Sequence, residues 1–185
     1  MQMMHLSDFN YDEAELQKAV LFLTDHFARS GNNPKPVVMH SIRVAALLWE
    51  RGAPQDSVVA ALLHDTLEDT SVAAAEIGRE FGERVQQIVE SLTITKEGDF
   101  ATKLANANKS FQKSIALGQD ALIVRASDLI DNSHYYKRAD TPDLQHHLCD
   151  KYTSFMTLAE VRLVNTPYWP LLKTAYDQNV KQFAR

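Results

Sequence analysis

Between His64 and Asp69 an imidazole and three carboxylates fall within six consecutive positions, His64-Asp65-Thr66-Leu67-Glu68-Asp69. They follow directly on the apolar stretch Val58-Val59-Ala60-Ala61-Leu62-Leu63. Ionisable groups on the tail of a buried helix are expensive unless something pairs with them, and a divalent cation is the simplest partner. Two further donors fit: His40 opens another apolar helical pattern, and Asp128 lies beyond the run Leu122-Ile123-Val124-Arg125-Ala126-Ser127. The set His40, His64, Asp65 and Asp128 offers nitrogen and oxygen but no thiolate. That suits Mn²⁺, Fe²⁺ or Zn²⁺ and leaves coordination positions for water and substrate, which points to catalysis. His64 and Glu68 are four apart, as are Asp65 and Asp69, so each pair shares a face wherever the helix continues. Glu68 and Asp69 then stand one turn beyond the ligands, placed to take a proton from water or to position it. Asp128 and Asn132 form another four-apart pair.

Helices must carry these side chains. Apolar residues recur at helical spacing almost throughout and no window alternates with period two, so an all-α fold is expected. A first helix is expected over 12–29, with Asn10 and Glu13 spaced as a capping box and Leu16, Val20, Leu23 and Phe27 as its apolar stripe. The segment Gly31-Asn32-Asn33-Pro34-Lys35-Pro36 ends it. A second helix is expected from Val37 to a stop at Gly52. A third, capped by Asp56 or Ser57, is expected to carry the acidic run at its C-terminal end, where the helix dipole favours a cation. Further helices are expected from Thr70 or Ser71, over 83–92 after Gly82, over 102–117, over 120–137 after Gly118, and from the cap pair Thr141-Pro142 to about 165. Pro167 and Pro170 introduce the last. Residues 93–100 are expected to form a loop or lid. His5, His134, His146 and His147 have no carboxylate constellation and are expected at the solvent or core edge.

At 185 residues, with 45% hydrophobic and 23% charged, the chain suits one soluble globular domain spanning 1–185. The single cysteine, Cys149, excludes an intramolecular disulfide and fits a reducing compartment. No stretch reaches the roughly 20 apolar residues of a membrane span, and a signal-peptide pattern is missing, so a cytoplasmic protein without membrane partners is expected. The net charge of −5 argues against a general nucleic-acid surface. An anionic small molecule remains compatible, because a bound metal supplies the positive charge where it is needed. A homo-oligomer is compatible with the sequence, which sets no oligomeric state.

The order His, His-Asp, distant Asp resembles the HD-domain phosphohydrolases, and more particular strings narrow the resemblance. Pro36-Val37-Val38-Met39-His40-Ser41-Ile42-Arg43-Val44-Ala45, Ala60-Ala61-Leu62-Leu63-His64-Asp65-Thr66-Leu67-Glu68-Asp69-Thr70, Phe81-Gly82-Glu83-Arg84-Val85 and Ala126-Ser127-Asp128-Leu129-Ile130-Asp131-Asn132 are similar to the hydrolase domain of RelA/SpoT-type alarmone enzymes. The likeness covers roughly residues 20–137, and helices over 141–185 are expected to complete a single HD-type helical bundle. With no room for a synthetase domain or a regulatory tail, the small stand-alone alarmone hydrolases are the expected group. The resemblance implies removal of pyrophosphate from the 3′ position of guanosine tetra- or pentaphosphate with one Mn²⁺. It implies His40, His64, Asp65 and Asp128 as metal ligands and Glu68 and Asp69 as the pair that activates water. Asn132 would lie near the substrate sugar and Arg29 would line the nucleotide pocket. The chain departs from the family pattern with Ser30 in place of a second basic residue, Val37 for a Tyr, Ser41 for a Pro, Leu129 for an Arg and Asp131 for a His. The rival functions are an HD nucleotidase or phosphatase acting on another nucleotide, and a non-catalytic nucleotide-sensing module.

Overall fold

Two helices are buried on every side, and each is the centre of a compact unit. The computed structural model describes residues 11–32 and 36–184, and all regular structure among them is helical, without a strand. Contacts divide the chain into one unit ending at Glu90 and another beginning at Ser91.

In the first unit α1 (Glu13–Ser30) begins at Asp12, whose carboxylate accepts from the backbone N–H of Ala14 and Glu15. The proposed cap Asn10 lies outside the described residues, as does His5. Gly31 ends the helix in the left-handed conformation, φ 65°, which glycine adopts without strain. α2 (Val37–Trp49) stops three residues before Gly52, and the intervening turn closes on Leu48 and Trp49 carbonyls. α3 (Gln55–Leu63) starts two residues earlier than an Asp56 cap would allow and three earlier than a Ser57 cap, with Pro54 at the cap position. The Gln55 side chain, at the first position of α3, instead reaches back to the Asp12 N–H and to Glu15. Residues 57–63 of α3 are all buried, because α1 and α2 pack against it.

The acidic run is not the tail of α3. The helix ends at Leu63, and after a turn at His64 and Asp65 a single helical turn, α4 (Thr66–Asp69), holds Glu68 and Asp69. At the break two side chains take the last carbonyls of α3: the Thr66 hydroxyl donates to Leu63 at 2.6 Å, and His64 Nδ1 lies 2.7 Å from the Ala61 oxygen. α5 (Ala74–Phe81) follows, later than a start at Thr70 or Ser71, because Thr70 is extended and its hydroxyl accepts from Val72 N–H. Gly82 separates α5 from α6 (Glu83–Leu92).

Residues 93–99 carry no helix, and Asp99 caps α7 (Phe100–Leu117) by accepting from Thr102 N–H at 2.8 Å. α8 (Gln119–Ser133) ends before Lys137, and a short 3₁₀ turn takes Tyr136–Arg138. Every residue from Ala121 to Leu129 is buried, since α7, α9 and α10 all pack on α8. Thr141 caps α9 (Pro142–Leu163), which buries Cys149, and burial pushes that thiol's pKa up. Pro167 caps α10 (Tyr168–Ala175), which runs into a π-helical turn, Tyr176–Val180. Phe111 packs edge-on against Phe155 at 5.1 Å, and the Tyr152 hydroxyl donates to the Leu172 carbonyl at 2.9 Å.

Candidate metal centre

In the first unit the structure brings together His40, His64 and Asp65, whose donor atoms all lie within 4.8 Å of one another. His40 sits on the second turn of α2, fully buried, and its backbone N–H donates to the Pro36 carbonyl. His64 is the residue that follows α3, 2% exposed, and Asp65 comes next, partly open to solvent. The packing of α2 on α3 is therefore what joins the donors across 24 residues of sequence.

The orientation of His64 is fixed by a backbone group. Its Nδ1 lies 2.7 Å from the Ala61 carbonyl oxygen, one turn back in α3. A carbonyl only accepts, so Nδ1 carries the proton and Nε2 presents its lone pair. That Nε2 faces His40 Nε2 at 3.1 Å and Asp65 Oδ1 at 3.3 Å, while His40 Nε2 stands 3.7 Å from Asp65 Oδ2. Donors about 2.1 Å from a cation stand about 3.0 Å apart at a right angle and about 3.4 Å apart at a tetrahedral one. Two of the three separations match, and the third is slightly wider. Two imidazoles held by helix packing and a carboxylate at the C-terminal end of α3 thus fit a divalent cation in chemistry as well as in spacing.

Glu68 and Asp69 lie half-buried on the next turn, with the Glu68 and Asp69 N–H groups both donating to the Asp65 carbonyl. Asn32, just past the end of α1, donates through its side-chain amide to the Asp69 carboxylate at 3.3 Å. The sequence held no signal for that contact, which spans 37 residues. Arg29 stands near the exposed end of α1, its guanidinium 2.7 Å from the Asp25 carboxylate one turn earlier.

Asp128 belongs to the second unit. It is buried on α8, where Arg125 Nη1 donates to its Oδ2 at 3.1 Å and the Asn132 amide donates to its Oδ1. Tyr136 is buried nearby, and desolvation, then Tyr152, then Asp128 push its phenol up, so it remains protonated. Arg125 was not singled out from the sequence, although its place three residues before Asp128 in an apolar run was a usable sign. Of the remaining histidines of this unit, His134 is exposed beside the Asn179 amide, and His147 stacks on Phe100 at 5.0 Å, where burial followed by Lys151 and Lys103 lowers its pKa.

The family model for the HD domain matches residues 19–156. The chain belongs to the HD-domain family, whose members bind divalent metals. It is 35% identical over 130 residues to a guanosine-3′,5′-bis(diphosphate) 3′-pyrophosphohydrolase of Aquifex aeolicus, a match covering 69% of this chain and 18% of that protein. It is 30% identical over 121 residues to the bifunctional (p)ppGpp synthase/hydrolase SpoT of Escherichia coli, covering 64% of this chain and 17% of the relative. The chain thus spans less than a fifth of the length of these relatives. A solved structure of a metazoan ortholog of SpoT that hydrolyzes ppGpp has the same fold, with a TM-score of 0.72, 20% identity, and coverage of 91% of this chain and 97% of that one. No helix among the described residues is long and apolar enough to cross a membrane.

Proposed function

We propose that this protein is a metal-dependent pyrophosphohydrolase that removes the 3′-pyrophosphate of guanosine tetra- or pentaphosphate, giving GDP or GTP and pyrophosphate. The observation that carries the reading is the convergence of His40, His64 and Asp65 immediately before the turn that holds Glu68 and Asp69. The activities of the Aquifex and Escherichia relatives support the choice of substrate. In this reading Asp128 completes the ligand set, on the strength of the motif order, and Mn²⁺ is the resident ion, with Fe²⁺ and Zn²⁺ sharing its donor preference. Such an ion, when bound, supplies Lewis-acid polarisation of a phosphoryl oxygen and a water of lowered pKa.

The chain's own residues do the rest. His64, held by Ala61, keeps its Nε2 lone pair available to hold an ion, and His40 would hold it from α2, fixed by packing on α3. Glu68 and Asp69 position the attacking water and take one of its protons as its oxygen adds to the phosphorus bound to the 3′ oxygen; that P–O bond breaks, pyrophosphate leaves, and the proton passes to the 3′ oxygen as a hydroxyl. Asn32 restrains the Asp69 carboxylate for this task. Arg29 and Asn132 contact the nucleotide, as the family resemblance implies. The substrate is a small nucleotide, and neither a nucleic acid nor a membrane is required.

A panel of nucleotides assayed with Mn²⁺ tests the proposal. Release of pyrophosphate from guanosine tetraphosphate supports it. Release of phosphate alone, from 2′-, 3′- or 5′-mononucleotides, moves the activity to the nucleotidase class. Binding of guanosine tetraphosphate without turnover makes the protein a sensing module.

A further inference from the structure

Asp69 sits where the backbone of the first unit has little to hold it. α4 is a single turn of four residues, and Thr70 directly after it is extended, so Asp69 is the last helical residue before the chain leaves. A helix that short does not fix its own residues. Asn32, 37 residues earlier, reaches this point with its side-chain amide, which donates to the Asp69 carboxylate at 3.3 Å and to the Asp69 backbone carbonyl at 3.4 Å. One side chain thus holds both the main chain and the acidic group of the same residue.

Asn32 is itself set by the end of α1. Gly31 turns the chain at φ 65° and donates its N–H to the Phe27 carbonyl. The Ser30 hydroxyl donates to that same carbonyl at 3.2 Å and accepts from the Asn32 N–H at 3.2 Å. The backbone of Asn32 is therefore tied to a helix whose Phe27 is buried, and its amide leaves toward α4, which packs on α1. The residue types suit this task. A primary amide carries two N–H donors on one nitrogen, enough for both Asp69 oxygens, while Ser30 stands where the resembling family has a second basic residue and turns its short hydroxyl back onto α1. Ser30 and Asn32 are exposed, where a hydrogen bond exchanged with water adds little to stability, so what they supply is direction.

We propose that Ser30 and Asn32 form a strap that positions Asp69: Ser30 sets the direction of Asn32, and Asn32 holds the Asp69 carboxylate, one turn beyond Asp65, in the orientation from which it takes the proton of water. The proposal rests on the reading of Asp69 as that acceptor. Both are positioning residues, acting on the reaction through Asp69 alone, so removing them should change turnover only while Asp69 is present.

The test is a double-mutant cycle with Asp69, read by pyrophosphate release from guanosine tetraphosphate with Mn²⁺ and by NMR of the metal-free protein. Asn32→Ala is expected to lower kcat about 10-fold, the scale of one hydrogen bond to a charged group, with KM and Mn²⁺ affinity within about twofold of wild type, the margin of additivity. Ser30→Ala is expected to lower kcat about threefold. In an Asp69→Ala background neither substitution should lower it further. In the metal-free protein the side-chain amide signals of Asn32 should move in both Asp69→Ala and Ser30→Ala, and unmoved signals in both overturn the strap. A kcat within about twofold of wild type in Asn32→Ala, or an undiminished loss on top of Asp69→Ala, also overturns it and leaves Asp69 as the acceptor. A raised KM with unchanged kcat assigns Asn32 to nucleotide binding beside Arg29 and overturns it as well. Near-native kcat in Asp69→Ala, or no pyrophosphate release by the wild type, overturns the reading of Asp69 and the strap with it. Circular dichroism shows that each variant is folded; should Asn32→Ala not fold, the isosteric Asn32→Asp, which removes the donor, is held to the same limits.

Discussion

The helices α3 and α8 are the two that their surroundings bury on every side, and each carries ionisable side chains into a dry interior. They meet the cost differently. At the end of α3, His64 and Asp65 face His40, so donor faces donor at 3.1 to 3.7 Å. On α8, Asp128 faces a guanidinium from its own helix. The first arrangement gathers electron pairs around a point, whereas the second carries its cation in the chain. The difference is between buried ionisable groups that face one another and a carboxylate whose charge is already paired.

The largest effect is expected where donor faces donor. His64→Ala and Asp65→Ala should each abolish stoichiometric Mn²⁺ and with it hydrolysis, since an incomplete set of ligands holds no ion; elemental analysis of the purified variants checks this, and unchanged metal in both would remove α3 from the centre. Next come the carboxylates beyond the ligands. Glu68→Gln and Asp69→Asn should keep the metal while kcat falls by roughly 10²-fold or more, and near-native turnover would confine the chemistry to the ligands themselves.

A smaller effect is expected at the end of α1. Arg29 is 71% exposed in its side chain, so its pair with Asp25 contributes little to stability. Arg29→Ala should raise KM for guanosine tetraphosphate with kcat within about threefold, the pattern of lost uniform binding; steady-state kinetics with an unchanged KM would leave Arg29 a surface residue. The smallest effect belongs to the second unit alone. The folded pKa of His147 is lowered, by burial first and then by Lys151 and Lys103. The unfolded chain therefore takes up the proton more readily, and stability present above about pH 6.5 is lost as the pH falls below that value. His147→Gln should flatten this part of the Tm against pH curve without changing Mn²⁺ affinity, and an identical curve in the variant would assign the slope to other groups.

Much of this architecture could be read from the residues. Helical periodicity is strong in α5 and α6, and Gly82, Gly118 and the pair Thr141-Pro142 mark boundaries that the structure keeps, because each has a local backbone cause. The break after Leu63 was harder to read. His64 and Glu68 have the spacing of one continuous helix, and the break shows only in side-chain bonds to the last α3 carbonyls, from Thr66 to Leu63 and from His64 to Ala61. Adjacent ligand types announced His64 and Asp65, and the meeting with His40 follows once α2 packs on α3. Arg125 escaped notice for the opposite reason. Its partners Ser110 and Leu92 lie 15 and 33 residues away, and a lone arginine in an apolar helix gives no sign of which carbonyl it will reach.

Cys149 gives the second unit a clock of its own. It is the single cysteine of the chain, buried on α9, with its thiol pushed up by burial, and only the thiolate reacts. A thiol reagent therefore modifies the folded protein only during excursions that bring α9 into water, and the modification rate counts those excursions. Followed across temperature or denaturant, that rate would report how often the second unit opens around α9, with no residue changed.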